Sequence, residues 1–268
     1  MFEKRIGERL AQLIERSGTS TSRGGRRREP IPFDELLPGG EVDGPFGSIF
    51  LHEKFFAEVD GDERSLIEGL SRSLAAGNGT SLDESFGELG KLRASGLGSA
   101  LFLDLETTGL SNCPVFLAGT MHLGEKGFIM RQFFARHYGE EKALLFSLGE
   151  FLKGFSLVVT FNGKAFDMPL LKDRALVHGL SQRFDHVNLD ILHVSRKMWG
   201  GTTPDCKLKT LEWLITRKRR IGDVPSEEIP GIYHRYVKNG SPYSLLPIFH
   251  HNLLDLATMA RLLARALD

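Results

Sequence analysis

Cysteine is almost missing from this chain: only Cys113 and Cys206 occur among its 268 residues. They are far apart and lack CxxC or CxxH spacing, which argues against a disulfide framework and against a cysteine zinc site. A reducing cytosol is the compartment such usage fits, so a cytoplasmic location is expected. Long apolar runs are missing too. No stretch approaches the ~18–20 residues that span a bilayer, so no membrane association is expected. The amino terminus, MFEKRIGERLAQLIERSG, interleaves charges with Phe2, Ile6, Leu10, Leu13 and Ile14; it predicts an amphipathic helix with no signal-peptide core. Net charge is absent as well, with 34 Lys and Arg against 34 Asp and Glu. The balance hides an asymmetry. Residues 1–98 carry 13 basic against 17 acidic side chains and residues 99–268 carry 21 against 17, a slight pointer to a polyanionic partner for the second part. No internal repeat of solenoid or propeller period is visible.

What the chain does contain is ordered. After the first helix, SGTSTSRGGRRREP is a Ser/Gly/Arg tract that cannot build a core and reads as a linker. GGEVDGPFGSIFLHEKFF has the punctuation of a short hairpin, ERSLIEGLSRSLAAG reads as a helix, and GNGTSLDESFGELGKLRASG as a second loose stretch. A boundary near residue 98 separates an amino-terminal accessory region, 1–98, from a domain spanning 99–268. That domain begins with three apolar segments, SALFLDLE, VFLAGTMHLG and GFIMRQFFA, joined by short turns as in an antiparallel meander. The period then changes: EEKALLFSLGEFLKG is helical, SLVVTF is a β-branched run, KAFDMPLLKDRALVHG is helical, HVNLDI has strand character, and helices finish the chain. The order predicts an α/β fold with a mixed sheet and helices against its faces.

The chemistry begins in LFLDLETTGL. Strand geometry sends Asp104 and Glu106 to the same face. Two like charges in a half-buried place repel unless a cation lies between them, so this strand end is a candidate metal site. In VVTFNGKAFDMPLL, Asn162, Gly163 and Lys164 follow a strand and Asp167 falls in the first turn of the next helix, where α/β proteins assemble their sites. In IFHHNLLDLATMARLLARAL, His251 and Asp255 are four apart and share a helical face. A helix that began only after His251 would bring His250 into play instead.

Taken in order, Asp-x-Glu on a strand, Asn-x-x-x-Phe-Asp, and His-x-x-x-Asp on the last helix resemble the motifs of the ribonuclease H-like DEDD exonuclease superfamily. The sequence is most similar to its YprB-type branch of predicted exonucleases, through FLDLETTGLS, TFNGKAFDMPLL, LDILHVSRKMW, KLKTLEWL, GDVPSEEIPGIYHRYVKNG and FHHNLLDLATMARLL. The resemblance covers roughly residues 98–265. It implies a ribonuclease H-like mixed five-stranded sheet, a meander followed by parallel strands, flanked by helices. It also implies that Asp104, Glu106, Asp167 and Asp255 bind two divalent cations, Mg²⁺ or Mn²⁺, with His251 as general base. The activity implied is 3′–5′ exonucleolytic cleavage of DNA or RNA. Carboxylate oxygens are the hard ligands those ions prefer.

Other residues carry plainer expectations. Thr107, Asn162 and Lys164 are candidate substrate contacts, Lys164 toward a phosphate. Asp190 is either a fifth carboxylate of the site or a helix N-cap. Cys206 reads as a packing residue, and Trp213, Tyr233 and Tyr236 as core. Arg217, Lys218, Arg219 and Arg220 suit either a phosphate backbone or a helix carboxyl end. Two rival functions use the same residues differently: an idle nucleic-acid-binding module and a metal phosphohydrolase acting on small nucleotides.

Overall fold

A computed structural model describes residues 36–76, 85–109, 112–220 and 222–268. The expected amino-terminal helix and the Arg26–Arg28 tract lie outside the described residues. Two strands come first, β1 (Gly39–Gly44) and β2 (Gly47–Phe55), then helices α1 (Glu63–Ala76) and α2 (Gly87–Ser95). The meander follows as β3 (Ala100–Thr107), β4 (Val115–Gly124) and β5 (Gly127–Phe134). Beyond it alternate α3 (Glu141–Leu152), β6 (Leu157–Thr160), α4 (Asp167–Val177), β7 (Val187–Asp190) and α5 (Ile191–Trp199). After a short turn of helix at Leu208–Leu211 come α6 (Ile229–Asn239) and α7 (Leu246–Leu267).

The seven strands make one mixed sheet in the order β1-β2-β5-β4-β3-β6-β7. Strands β3 to β5 are antiparallel, whereas β6 and β7 run parallel to β3. Five of these are the strands expected of the domain. The other two are the amino-terminal hairpin, which pairs antiparallel with β5 from Phe50↔Phe134 to Phe55↔Ile129 and so widens the sheet from five strands to seven. Its sequence alternates Ile49, Leu51 and Glu53 with Phe50, His52 and Lys54, a pattern that finds buried neighbours only when the edge of β5 is covered. The stretch read as loose before β3 contains α2, whose Leu89 and Leu92 are fully buried.

Strand β3 is central, and its alternation fixes the geometry of everything that follows. Leu101 and Leu103 point to the face covered by α3 and α4, packing with Leu144, Leu148 and Leu171. Phe102 points to the opposite face, among Leu256, Ala257 and Ala260 of α7 and Leu70 of α1. Asp104 and Glu106 follow Phe102 with period two and emerge on the α7 side. Burial fades along the strand, from complete over Ala100–Leu103 to partial over Asp104–Thr107. At 22 residues α7 is about 33 Å long, enough to cross the sheet. A third cluster sits under the hairpin, where Tyr233 of α6 stacks on Phe116 with ring centroids 4.0 Å apart and its hydroxyl donates to the Ala135 carbonyl at 2.9 Å. Tyr233 and Tyr236 are thus core residues, as expected. Trp213 is not: its side chain lies at the surface, 52% exposed. No helix among the described residues is long and apolar enough to cross a membrane.

Candidate active site

Three separate segments bring charge to the open end of β3. Asp104 lies opposite Gly119 in the β3–β4 register. Its Oδ2 accepts from the Asn252 side-chain amide at 2.8 Å, and the same nitrogen reaches the Asp104 carbonyl at 3.2 Å. Asn252 in turn accepts at 2.8 Å from Gln132, whose amide also donates to the Phe249 carbonyl. The side chain of Asn252 occupies the space above Gly119, where any Cβ would collide with its amide. A small residue in mid-strand is the signal that this close approach leaves in sequence.

Asp167 opens α4, and a backbone N–H donated by Leu105 together with its own helps to anchor its carboxylate beside β3. Asp190 caps α5, accepting from Leu192 N at 3.0 Å, and also accepts from the backbone N–H groups of Asn162 (2.8 Å) and Lys164 (3.1 Å). It is therefore an N-cap that also ties down the β6–α4 turn, in which Asn162 takes a left-handed φ of 65°. The candidate substrate contacts are engaged locally. Thr107 Oγ1 donates to the Gly109 carbonyl at 2.6 Å, and Lys164 Nζ pairs with Glu88 of α2 at 2.6 Å.

The last helix begins at Leu246, so both histidines are inside it, and the one facing Asp255 is His251. His251 Nδ1 is 2.6 Å from Asp223 Oδ1 and Nε2 is 3.4 Å from Asp255 Oδ2. Behind this pair lies a side chain that sequence reasoning assigned elsewhere. Arg220 is buried, its side chain 5% exposed, with Nε 2.6 Å from Glu212 Oε2 and Nη2 2.5 Å from Asp255 Oδ1. Asp223 Oδ2 is 3.5 Å from Nη1. Glu212 is steadied by the Thr258 hydroxyl, one turn beyond Asp255, at 3.0 Å. Arg220, Asp223, Glu212 and Asn252 escaped detection because each touches the site only across long sequence separations.

The electrostatics divide the carboxylates into two groups. Burial, then the charges of Asp255, Glu106 and Asp167, holds Asp104 well above the usual carboxylate range. Burial also raises Glu106 to about 8, with Asp255 and Asp167 adding to it and His251 opposing. Asp167 is raised by burial to about 7. Asp255 goes the other way: burial works against it, but the His251 hydrogen bond and the Arg220 charge hold it low. His251 rises to about 10, since the Asp223 and Asp255 hydrogen bonds outweigh burial.

Among the described residues no three His, Cys, Asp or Glu side chains converge closely enough to cage a metal ion as they stand. The donor set nevertheless fits a hard divalent cation. Its carboxylates offer only oxygen, three of them have no cation within ion-pair distance among the described residues, and Asp255 Oδ1 is buried without an aligned hydrogen bond.

The sheet order, the crossing of α7 over β3 and the acidic strand end define a ribonuclease H-like fold. A family model described as RNase_H superfamily matches residues 101–267, and the chain belongs to that superfamily, as a YprB-type member. It is 32% identical over 166 residues to the "Uncharacterized protein YprB" of Bacillus subtilis (strain 168), an alignment covering 60% of this chain and 40% of that protein. Among solved structures it is similar to the family B DNA polymerase from the hyperthermophilic archaeon Pyrobaculum calidifontis, with TM-score 0.50 and 17% identity. That match covers 61% of this chain and 24% of the polymerase and is a likeness of fold.

Proposed function

We propose that this chain is a divalent-metal-dependent nuclease, a 3′–5′ exonuclease hydrolysing phosphodiester bonds of DNA or RNA. What supports the reading is that Asp104 and Glu106 of β3, Asp167 of α4, and His251 and Asp255 of α7 lie near enough at the open end of β3 to feel one another's charge. A binding module would need exposed cations there and has no use for uncompensated carboxylates. The superfamily's nucleases generally use divalent metals, and the solved neighbour is a DNA polymerase, which supports a nucleic-acid substrate.

In this reading Asp104, Glu106, Asp167 and Asp255 hold two ions, Mg²⁺ or Mn²⁺. When bound, such ions lower the pKa of water and stabilise the charge of the phosphoryl transition state. His251 is the general base, acting through Nε2. At rest it carries a proton, because the Asp223 and Asp255 hydrogen bonds, with the charges of Asp255 and Glu106, hold it charged. Neutralising Asp255 and Glu106 would weaken that hold, and Asp223, accepting from Nδ1–H, would fix the tautomer in which Nε2 is free to accept. Thr107, Asn162 and Lys164 are proposed to meet the substrate, Lys164 by exchanging Glu88 for a phosphate.

The test is digestion of single- and double-stranded DNA and RNA, labelled at either end, with Mg²⁺ or Mn²⁺ and with excess chelator. Release of mononucleotides from the 3′ end, abolished by chelation, is expected. Undiminished hydrolysis in chelator, or none with any metal and substrate, refutes the reading.

A further inference from the structure

Trp213 and the cationic run that follows it have no part in the site described above, and the structure sets them side by side at the surface. Leu211 and Glu212 are buried, and a π-helical turn over Glu212–Thr216 leaves Trp213 outside, 52% exposed. Arg217, with a left-handed φ of 58°, ends that turn. Arg219 then lies over the indole, its guanidinium carbon 6.0 Å from the ring centroid. The loop is pinned on either side of Arg219. Lys218 pairs with Asp60 at 3.2 Å, and Arg220 with Glu212 at 2.6 Å. Arg217 and Arg219 themselves are exposed, and neither is held in an ion pair among the described residues. Beside them opens a cavity of about 480 Å³, lined by Trp213, Lys209, Lys218 and Arg219 with Pro225 and Ser226. Three carboxylates line it too. Glu212 and Asp223 are matched by Arg220 and Lys209, so among the described residues only Glu227 is unmatched there. One carboxylate separates this groove from the candidate active site: Asp223 Oδ2 faces Lys209 at 2.9 Å, and Oδ1 meets His251 Nδ1 at 2.6 Å.

We infer that this groove holds a stretch of single-stranded nucleic acid, with a base stacked on Trp213 and the flanking phosphates met by Arg219 and Arg217. The inference rests on the nuclease reading above for the class of ligand, and it names where, outside the carboxylate cluster, the strand is gripped. The chemistry of the patch selects that ligand. An indole presents a flat π face on which a base stacks, and a guanidinium beside it offers phosphate oxygens a fork of N–H donors. Stacking needs a base whose face is open. A duplex keeps its base faces covered by their neighbours, so the groove suits a single strand. Docking of a protein through apolar contact would call for a contiguous apolar area, whereas here the indole is bordered by charged side chains. The pinned loop keeps Arg219 near the indole before any ligand arrives, so less side-chain freedom is lost on binding. Because Asp223 is shared, a strand held here lies one side chain away from His251.

The experiment titrates short oligo(dT), oligo(U) and a duplex of the same length into the full chain in excess chelator, which suppresses metal-dependent hydrolysis. Affinity is read from the anisotropy of an end label, and contact from the tryptophan emission with unlabelled strands. The chain has two tryptophans, and Trp199 packs against the core, so it serves as an internal reference. At least one of the single strands is expected to quench the emission and to bind at least about tenfold more tightly than the duplex; the comparison of dT with U tells DNA from RNA. Trp213→Phe keeps a π face and is expected to keep most of the affinity while losing the quenching. Trp213→Ala is expected to lose about tenfold or more in affinity. Arg219→Ala should weaken binding and lower the slope of log affinity against log salt by about 0.7. Circular dichroism verifies each fold; should Trp213→Ala fail to fold, the quenching in Trp213→Phe and the salt slope of Arg219→Ala decide. A folded Trp213→Ala chain that binds single strands as the parent does overturns the inference. So does quenching that survives in Trp213→Phe, a salt slope unmoved in Arg219→Ala, a duplex bound as tightly as the single strands, or a parent that binds no oligonucleotide. Cleavage with Mg²⁺ or Mn²⁺ is assayed separately. A parent that binds as expected yet cleaves nothing keeps the groove and removes the nuclease reading; one that cleaves while Trp213→Ala binds normally does the reverse.

Discussion

A single methyl group on Gly119 tests how the site is held. Gly119 lies opposite Asp104 in the centre of the sheet, outside the left-handed region, so alanine costs nothing in backbone strain there. What it meets is Asn252, whose amide occupies the place a Cβ would take. β4 is hydrogen-bonded between β3 and β5 and cannot move away, so Asn252 has to. Overpacking of this kind costs roughly 1–3 kcal/mol. Moving Asn252 also breaks its bonds to Asp104 Oδ2 and from Gln132, at about 1 kcal/mol each. The total for Gly119→Ala is about 3–5 kcal/mol, which for a chain of this size lowers Tm by roughly 6–20 °C. Asn252→Ala removes the obstacle. In that background Gly119→Ala is expected to cost at least about 2 kcal/mol less, a coupling measurable in a double-mutant cycle of thermal or urea unfolding. Because Asn252 orients Asp104, the single Gly119→Ala variant is also expected to bind Mn²⁺ more weakly. A Gly119→Ala chain that melts with the parent, or two changes whose costs simply add, refutes the account of the Asn252 clamp.

Three other outcomes are expected. Glu106 has a folded pKa of about 8 against an ordinary 4.5; the folded chain binds this proton where the unfolded chain has released it, so stability falls as pH rises from about 4.5 to about 8. Glu106→Gln in chelator should therefore raise Tm at pH 8.5 and change it little at pH 4, as read by calorimetry; equal effects at both pH values contradict the assignment. Glu141, the buried partner of Arg174 (2.5 Å), His178 (2.7 Å) and Val115 N (2.9 Å), has its pKa lowered despite burial by those bonds. It stabilises the fold above its unfolded pKa and loses that effect as pH falls through the folded one, so Glu141→Gln should cost about 3–5 kcal/mol at neutral pH and less in acid, by urea unfolding. His251→Ala should lower turnover by roughly 10²–10⁴ with Mn²⁺ affinity nearly kept, and His250→Ala far less; a crippled His250→Ala enzyme beside a normal His251→Ala one reverses the assignment of the base.

The legible parts of this molecule are those whose signal is local. Alternation in SALFLDLE puts Leu101, Leu103 and Leu105 on one face of β3 and Asp104 and Glu106 on the other, beyond Phe102. The i to i+4 spacing of His251 and Asp255 reports one helical face wherever the helix begins, provided it begins early enough, as it does at Leu246. The hairpin was visible as a hairpin, but its place was not, because β-sheet pairing between Phe50 and Phe134 depends on residues 84 apart and leaves no periodic trace. The same limit hid Arg220. A run reading TRKRRIG looks like a solvated cationic patch, and burial of one arginine out of that run is decided by Glu212, Asp223 and Asp255, the last of them 35 residues away on α7. Trp213 failed for the opposite reason: helical spacing says which residues share a face, and says nothing of whether another element covers it.

The uneven distribution of positive charge is what ties the fold to a reaction. A site of four carboxylates could be neutralised throughout by arginine and lysine, and it would then be stable and idle. Among the described residues Arg220 and His251 meet Asp255, whereas Asp104 has the Asn252 amide, Asp167 has backbone N–H groups, and neither these two nor Glu106 has a cation within ion-pair distance. The folded protein therefore carries an electrostatic cost at the one place where β3 opens to solvent, in the form of acids whose pKa values are pushed toward or above neutrality. A cation supplied from solution relieves that cost, so part of the affinity for metal is stored in the fold as repulsion among Asp104, Glu106 and Asp167. Substituting any one of these by its amide should consequently raise the stability of the chelated chain and diminish the extra stability that Mn²⁺ confers, two opposite shifts of Tm in a single protein, whereas a purely structural role for these acids would lower Tm in both conditions.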